Sequence, residues 1–274
     1  MVARPSGTAV VESGPSRFVP HGVMTTRLLQ LWRACCGAIA FAAFGGLALL
    51  LGALVLPVDR RLSPEGADRR AQLAIHRSSR LFLALVQGLG VLRIQVDGGE
   101  RLRRDGPRLI VANHPTLFDI VLLCALLPQM DCVVKASWTG NPFLRGLIRG
   151  ANHVCGDSPR HVLRACIERL RRGRTLLVFP EGTRSPRGGL GPFHRGAAHI
   201  ALACGVPIVP VVISCRPPIL SKGQKWYDLA SHPVRVAIRV RDEIHPDPSA
   251  ASRQLGSELR EFFAKELDLV DAGT

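Results

Sequence analysis

The segment Asn113-His114-Pro115-Thr116-Leu117-Phe118-Asp119 sets an imidazole and a carboxylate with four residues between them. A pairing of that kind takes a proton from a hydroxyl: the carboxylate fixes the imidazole tautomer and stabilises the imidazolium that forms. Reach is the first question. Leu109-Ile110-Val111-Ala112 is predicted as a short buried strand, and Pro115 as the first residue of a helix through Asp119 to Leu127. His114 then falls at the helix cap, where its side chain can fold back over the first turn toward Asp119. The plainer reading makes His114 a polar cap and Asp119 a favourable first-turn anion.

A second cluster follows a second apolar run. Thr175-Leu176-Leu177-Val178-Phe179 has strand composition and stops at Pro180-Glu181-Gly182-Thr183-Arg184-Ser185. Loops at the ends of buried strands carry chemistry in α/β proteins. Arg184 offers a planar cationic fork suited to phosphate, and Glu181 can accept a hydrogen bond from a substrate hydroxyl. The plainer reading is an ion pair across a surface turn.

Together these blocks resemble the glycerolipid acyltransferase family, whose relatives include lysophosphatidate acyltransferases. His114 to Asp119 matches its His-four-residues-Asp motif, and Phe179 to Ser185 its Phe-Pro-Glu-Gly-Thr-Arg-Ser motif. Weaker agreement continues through Gly191-Pro192-Phe193-His194-Arg195-Gly196-Ala197-Ala198 and Val206-Pro207-Ile208-Val209-Pro210-Val211. The resemblance implies acyl transfer from an acyl-CoA or acyl carrier protein thioester to a lysolipid hydroxyl, foremost 1-acylglycerol-3-phosphate. It casts His114 as general base, Asp119 as its orienting acid, and Glu181, Gly182, Thr183 and Arg184 as the acceptor-binding loop. No cofactor and no metal are implied beyond the donor itself. Val206, Pro207 and Ile208 form either an apolar wall for the acyl chain or simple core. One departure stands out: the family's second block normally ends in an arginine, and Gly150-Ala151-Asn152-His153-Val154-Cys155-Gly156-Asp157 has none at that place. Arg149 and Arg160 flank the gap, and an acceptor of another kind, such as an amino-acid-derived lysolipid, stays open.

These residues need a scaffold. Strand-like runs at Leu92–Val96, Leu109–Ala112, Cys132–Val134, Leu176–Phe179, Ile208–Ile213 and Val234–Val240 alternate with helical ones, predicting an α/β fold with a mixed sheet flanked by helices. Ser158-Pro159 opens a helix through Arg172 with one apolar stripe and a basic opposite face bearing Arg160, Arg164, Arg171 and Arg172. The recurrence of Leu255, Leu259, Phe262, Phe263 and Leu267 predicts a closing helix. Val206–Val211 carries two prolines, which confines them to the end or edge of a strand.

Upstream, Ala34–Leu56 has no charged residue and is rich in Leu, Ala and Phe. At helical rise it measures roughly 35 Å, enough to cross a bilayer core or to embed in one leaflet. Arg27 and Arg33 precede it, and Arg60, Arg61, Arg69 and Arg70 follow, which orients the remainder toward the cytoplasm at a cell inner membrane. A secretory signal is the competing reading. Leu73–Leu92 is read either as an interfacial helix placing Leu81, Phe82, Leu83, Leu85 and Val86 in the acyl boundary, or as a helix packed on the domain. The expected division is a disordered extension over 1–23, with Met24 an alternative start, membrane-anchoring helices over 24–92 and a catalytic domain over 93–274.

With 36 Lys+Arg against 21 Asp+Glu, the net charge of +15 calls for an anionic partner, and the apolar segment makes that partner acidic membrane lipid. A nucleic-acid role has charge alone in its favour, since aromatic residues are 5% and no finger, homeodomain or RNP pattern is present. A membrane esterase lacks its Gly-x-Ser-x-Gly elbow. Eight cysteines show no zinc-like spacing and read as buried free thiols of a reducing compartment.

Overall fold

The computed structural model describes residues 21–272 except 187–188 and 225–232. The extension expected over 1–23 lies almost wholly outside that range. Seven strands form one sheet in the order β1-β7-β6-β2-β5-β3-β4. They are β1 Leu92–Asp97, β2 Leu109–Ala112, β3 Asp131–Lys135, β4 Val154–Gly156, β5 Leu176–Val178, β6 Ile208–Arg216 and β7 Val234–Val240. Only the β6/β7 pair is antiparallel. The mixed α/β architecture expected of the sequence is therefore the one observed.

Helices cover both faces, so the central strands are apolar on both. In β2, Ile110 and Ala112 enter a core shared with α3 (Ala67–Gly88) and α4 (Asp119–Leu126). Leu109 and Val111 enter the opposite core, with α6 (Pro159–Arg171), α7 (Gly196–Cys204) and α8 (Ser252–Ala272). This is why β2 reads as an unbroken apolar run rather than an alternating one. α6 and α8 follow their predicted stripes, with Cys166 and Leu170 buried on the first and Leu255, Leu259 and Phe263 on the second.

The N-terminal apolar run forms α1 (His21–Leu49), continues through a wide π-helical segment at Leu50–Val55, and ends in α2 (Leu56–Leu62). Cys35–Leu62 is long and apolar enough to cross a membrane, with mean hydropathy 2.5. It is nevertheless tied to the domain along its length. Phe41 and Phe44 meet Phe118 at ring-centroid distances of 6.0 and 6.3 Å. Farther on, Gly52 packs against Gly146 of α5 (Arg145–Gly150) so closely that a Cβ on Gly52 would lie 3.0 Å from the Gly146 Cα.

Of the two readings of the helix after the N-terminal run, the one packed on the domain is observed, and one other expectation requires correction. The apolar residues of α3 do not share one environment: Phe82, Leu83 and Val86 are buried against α4 and the sheet, while Leu81 and Leu85 are exposed. Helical spacing rotates 81 and 85 onto the face opposite 82, 83 and 86, so α3 is a core helix with an apolar outer edge. Against expectation, β6 is an interior strand despite Pro210, which pairs in register with Val111. The missing amide costs little here, because the neighbouring chain leaves the ladder after Val240 and rejoins it at the Ile208–Ile244 bridge with one extra residue. The strand β4 was not among the predicted ones.

The cysteines are free, but not all buried: Cys35 and Cys155 are exposed. Burial pushes the Cys124 and Cys166 thiols up to about 12, so they are inert packing groups.

A buried polar knot closes the other end of the sheet. Asp131 accepts from Arg174 at 2.5 and 2.8 Å and from Gln72 at 2.9 Å. Nearby, His153 has a buried Nδ1 without a partner. Burial, reinforced by Arg174 and Arg169 and opposed by Asp131, pulls this imidazole down to about 4 from 6.5. Between those values the unfolded chain binds the proton and the folded chain does not. Stability is thus full above pH 6.5 and lost as pH falls toward 4, by on the order of 3 kcal/mol at most. Urea midpoints of the wild type should fall across that window more steeply than those of His153→Gln; parallel curves would remove His153 as the cause.

Candidate active site

The carboxyl ends of β2 and β5 place the two sequence clusters side by side. Beyond β2, Asn113 continues the strand with its side chain: its Nδ2 donates to the Ile213 carbonyl at 2.8 Å, and its Oδ1 accepts from the Ile213 amide at 2.7 Å. The chain is pinned to β6 immediately before His114. It then makes a turn over Pro115–Phe118, and α4 begins only at Asp119. His114 is therefore not the helix cap. Thr116 explains the difference, because its hydroxyl accepts from the Phe118 amide at 3.1 Å and donates to Asp119 Oδ1 at 2.7 Å. Such local bonds compete with helix and hold the turn open.

The turn brings His114 Nδ1 to 2.7 Å from Asp119 Oδ2. That oxygen also accepts from the Thr116 amide at 2.8 Å. Asp119 is fully buried, whereas the His114 side chain is 18% exposed. With Nδ1–H given to the carboxylate, Nε2 carries the free lone pair, the tautomer a general base requires. Burial pushes the Asp119 carboxyl up from 3.8, and the bonds from His114 and Thr116 oppose it without reversing the shift. The imidazole stacks on Phe179 with centroids 4.3 Å apart and planes at 20°, which fixes its remaining freedom. Beside it Phe118 gathers Phe41, Phe44 and Phe82 into an aromatic wall.

Glu181 takes a different part from the one expected. It is buried, and both carboxylate oxygens are spent on the protein. Oε1 accepts from the His114 amide at 3.1 Å and the Ser185 hydroxyl at 2.7 Å; Oε2 accepts from the Gly191 amide at 2.7 Å. With the Ser185 amide donating to the His114 carbonyl at 2.7 Å, this loop grips the His114 backbone from both sides. Glu181 thus holds the backbone of His114, and its buried oxygens are already bonded within the protein. Glu181→Gln turns an amide N–H toward the Gly191 N–H. We expect it to cost about 1–3 kcal/mol of stability and to lower kcat, with the acceptor KM held. A raised KM at unchanged stability would return Glu181 to substrate contact.

Arg184 sits at the rim. Its Nη1 donates to the carbonyls of Leu220 and Ser221 at 2.7 and 3.1 Å, and it has no carboxylate partner among the described residues. Gly182 and Thr183 are exposed, and Gly182 adopts φ +63°, a conformation side chains resist.

Lys135, absent from the predicted site, ends β3 at the same edge of the sheet. Ile110, Leu177 and Cys132 lie level across β2, β5 and β3, so Lys135 stands level with Asn113, two strands and about 10 Å away. Sheet order, not sequence, reveals it. The same edge carries Asp157, exposed just beyond β4.

Val206, Pro207 and Ile208 are not part of this site. Ile208 is level with Leu109 at the start of β2, five residues and roughly 16 Å from His114. Val206 and Ile208 are buried in the core beneath α6, α7 and α8. They are core, at the wrong end of the strands to touch an acyl chain at His114. Among the described residues no cluster of His, Cys, Asp and Glu could hold a metal ion.

Comparison with known proteins agrees with this geometry. The chain matches the Acyltransferase family over residues 93–214. It is 30% identical over 232 residues to 1-acyl-sn-glycerol-3-phosphate acyltransferase alpha of Homo sapiens, spanning 81% of this chain and 79% of that one. It is 35% identical over 178 residues to the lyso-ornithine lipid O-acyltransferase of Pseudomonas aeruginosa, spanning 62% of this chain and 67% of that one. The crystal structure of the 1-acyl-sn-glycerophosphate acyltransferase PlsC from Thermotoga maritima is similar at TM-score 0.67 and 25% identity, covering 91% of this chain and 97% of that one.

Proposed function

The chain belongs to the acyltransferase family of the 1-acylglycerol-3-phosphate type, and from that premise we propose that it moves a fatty acyl group from a thioester to a lysolipid hydroxyl at a membrane surface. Its reaction is O-acyl transfer. The observation that carries the finer reading is the His114–Asp119 couple, 2.7 Å long, at the sheet edge beside an aromatic wall.

In this reading the acceptor hydroxyl gives its proton to His114 Nε2 as its oxygen attacks the thioester carbonyl. The new C–O bond forms, the tetrahedral intermediate collapses, the C–S bond breaks, and the departing thiolate takes the proton back from the imidazolium. No acyl-enzyme is required, because the acceptor is itself the nucleophile. Asp119 stabilises the transient imidazolium, and proton transfer of this kind contributes about 10²–10⁴-fold. Acyl-CoA and acyl carrier protein both supply such a thioester.

The acceptor we favour is 1-acylglycerol-3-phosphate, its phosphate held by Arg184, giving phosphatidate. A second reading has a specific observation behind it: Asp157, not an arginine, follows β4 on the reacting edge. That favours an acceptor with a cationic group, and the lyso-ornithine lipid enzyme is among the relatives. One thioester donor assayed against lysophosphatidate, lyso-ornithine lipid and neutral lysolipids decides between them; acylation of none would sink both. If phosphate is held at Arg184, Arg184→Gln raises the lysophosphatidate KM about tenfold or more while leaving kcat largely intact. An unchanged KM would count against that contact.

We read the N-terminal helix as lying along the bilayer surface with the catalytic domain on the cytoplasmic side of an inner membrane. Its contacts at Phe41, Phe44, Gly52 and Leu56 keep it beside the domain, while Trp32, Ile39, Leu50 and Leu54 face outward.

A further inference from the structure

A cavity of about 500 Å³ lies away from the couple, between the end of the N-terminal helix and α5. Leu49, Ala53 and Leu56 wall one side and Pro142 the other. Three further lining residues are arginines, Arg60, Arg145 and Arg149. All three are exposed and none has a carboxylate partner among the described residues. Arginines without a carboxylate partner are common in a chain of net charge +15, but here three of them line one hollow.

The hollow is also firmly framed. Gly146 lies against Gly52, and a Cβ on Gly150 would fall 2.6 Å from Leu56 Cδ1, so the two helices meet at backbone distance. Arg60 Nη1 donates to the Arg149 carbonyl at 3.3 Å, joining the two walls at the cationic end. Alongside the pocket, Leu50, Leu54 and Val58 recur every four residues and are exposed at 51%, 58% and 44%. An occupant must therefore combine an anion for the arginines with hydrocarbon that continues onto an apolar stripe.

We propose that this cavity is a binding site for an anionic phospholipid of the surrounding bilayer, distinct from the acceptor site. Its head-group phosphate is held by Arg60, Arg145 and Arg149, and its acyl chains run along Leu49, Ala53 and the Leu50–Leu54–Val58 stripe. Guanidinium forks match phosphate oxygens, and juxtamembrane cations attract acidic lipid. Such a site would seat the helix only on acidic membrane. The proposal rests on the membrane reading above, and the test separates the two.

The test uses the full chain with Arg60, Arg145 and Arg149 changed to Gln, and a control with Arg160, Arg164 and Arg171 of α6 changed to Gln. Both lose three charges; only the first empties the pocket of its cations. Ala53→Phe, which fills the hollow without altering charge, is the second pocket variant, and circular dichroism confirms each fold. Binding is measured to phosphatidylcholine vesicles with and without phosphatidylglycerol, and to dihexanoyl phosphatidylglycerol below its micellar concentration. The pocket triple should bind acidic vesicles roughly tenfold or more weakly and lose the short-chain ligand, whereas the α6 triple keeps both. Ala53→Phe should likewise lose the short-chain ligand. Equal losses in the two triples would reduce the effect to diffuse charge and overturn the site, as would unchanged short-chain binding in the pocket variants. If the membrane reading alone is wrong, vesicle binding is absent while the short-chain lipid still distinguishes the triples.

Discussion

His114→Ala is expected to lower kcat by about 10²–10⁴-fold, the range for removing a positioned general base. The fold should persist. Asn113 remains bonded to Ile213, and the Glu181 and Ser185 contacts reach the backbone of residue 114, not its side chain. What disappears is one charge-assisted bond to Asp119, a loss of about 1.5–3 kcal/mol, and the stack on Phe179, while the two Thr116 bonds stay. Single-turnover thioester cleavage with lysophosphatidate present measures the chemical step, and a near-normal rate in the variant would end the general-base role.

The couple was legible in the sequence because its members lie close along the chain. How they meet was not. Pro115 suits the first residue of a helix, so the sequence reads as helix from 115; the Thr116 hydroxyl, bonded to the Phe118 amide and Asp119, makes a turn instead. Glu181 shows the same limit at longer range. Its type and loop suggested a substrate contact, but the amides that consume its oxygens come from Gly191 and His114, 10 and 67 positions away. Val206 to Ile208 had the apolar character of an acyl wall, and only the register of β6 on β2 reveals which end of the sheet they occupy. Periodicity found α6 and α8 because each buries one continuous stripe. It missed β4, a three-residue edge strand whose Cys155 is exposed and which is too short to display a period. Lys135 carried no motif and gained its place from strand order alone.

Asp119→Asn should reduce kcat by about 10²–10⁴-fold and yet leave the protein folded, which separates charge from shape at this position. The hydrogen-bond inventory shows why both hold. Asp119 Oδ2 accepts from His114 Nδ1 and the Thr116 amide, and Oδ1 accepts from the Thr116 hydroxyl. An asparagine with its oxygen toward His114 and the Thr116 amide can donate its NH₂ to the Thr116 hydroxyl oxygen. That oxygen has two lone pairs and already accepts from the Phe118 amide, so the swap needs only a rotated hydroxyl hydrogen. The heavy-atom pairs are kept at the cost of the Thr116 hydroxyl hydrogen's acceptor, but no anion faces the imidazolium as it forms. Stability should respond with the opposite sign to most carboxylate losses. Burial holds the folded Asp119 carboxyl above 3.8, so between 3.8 and its raised value the folded chain binds the proton more readily, and wild-type stability falls as pH rises. The variant lacks that slope, so its stability relative to wild type should grow as pH rises through this window and hold the gain at neutral pH. Thr116→Val is the matched comparison: it keeps the carboxylate but leaves Oδ1 and the Phe118 amide without the hydroxyl. It should therefore lose about 1–3 kcal/mol of stability with a smaller fall in kcat. If Asp119→Asn turned over normally, or if Thr116→Val were the more damaging to kcat, the carboxylate's charge would not be what His114 needs.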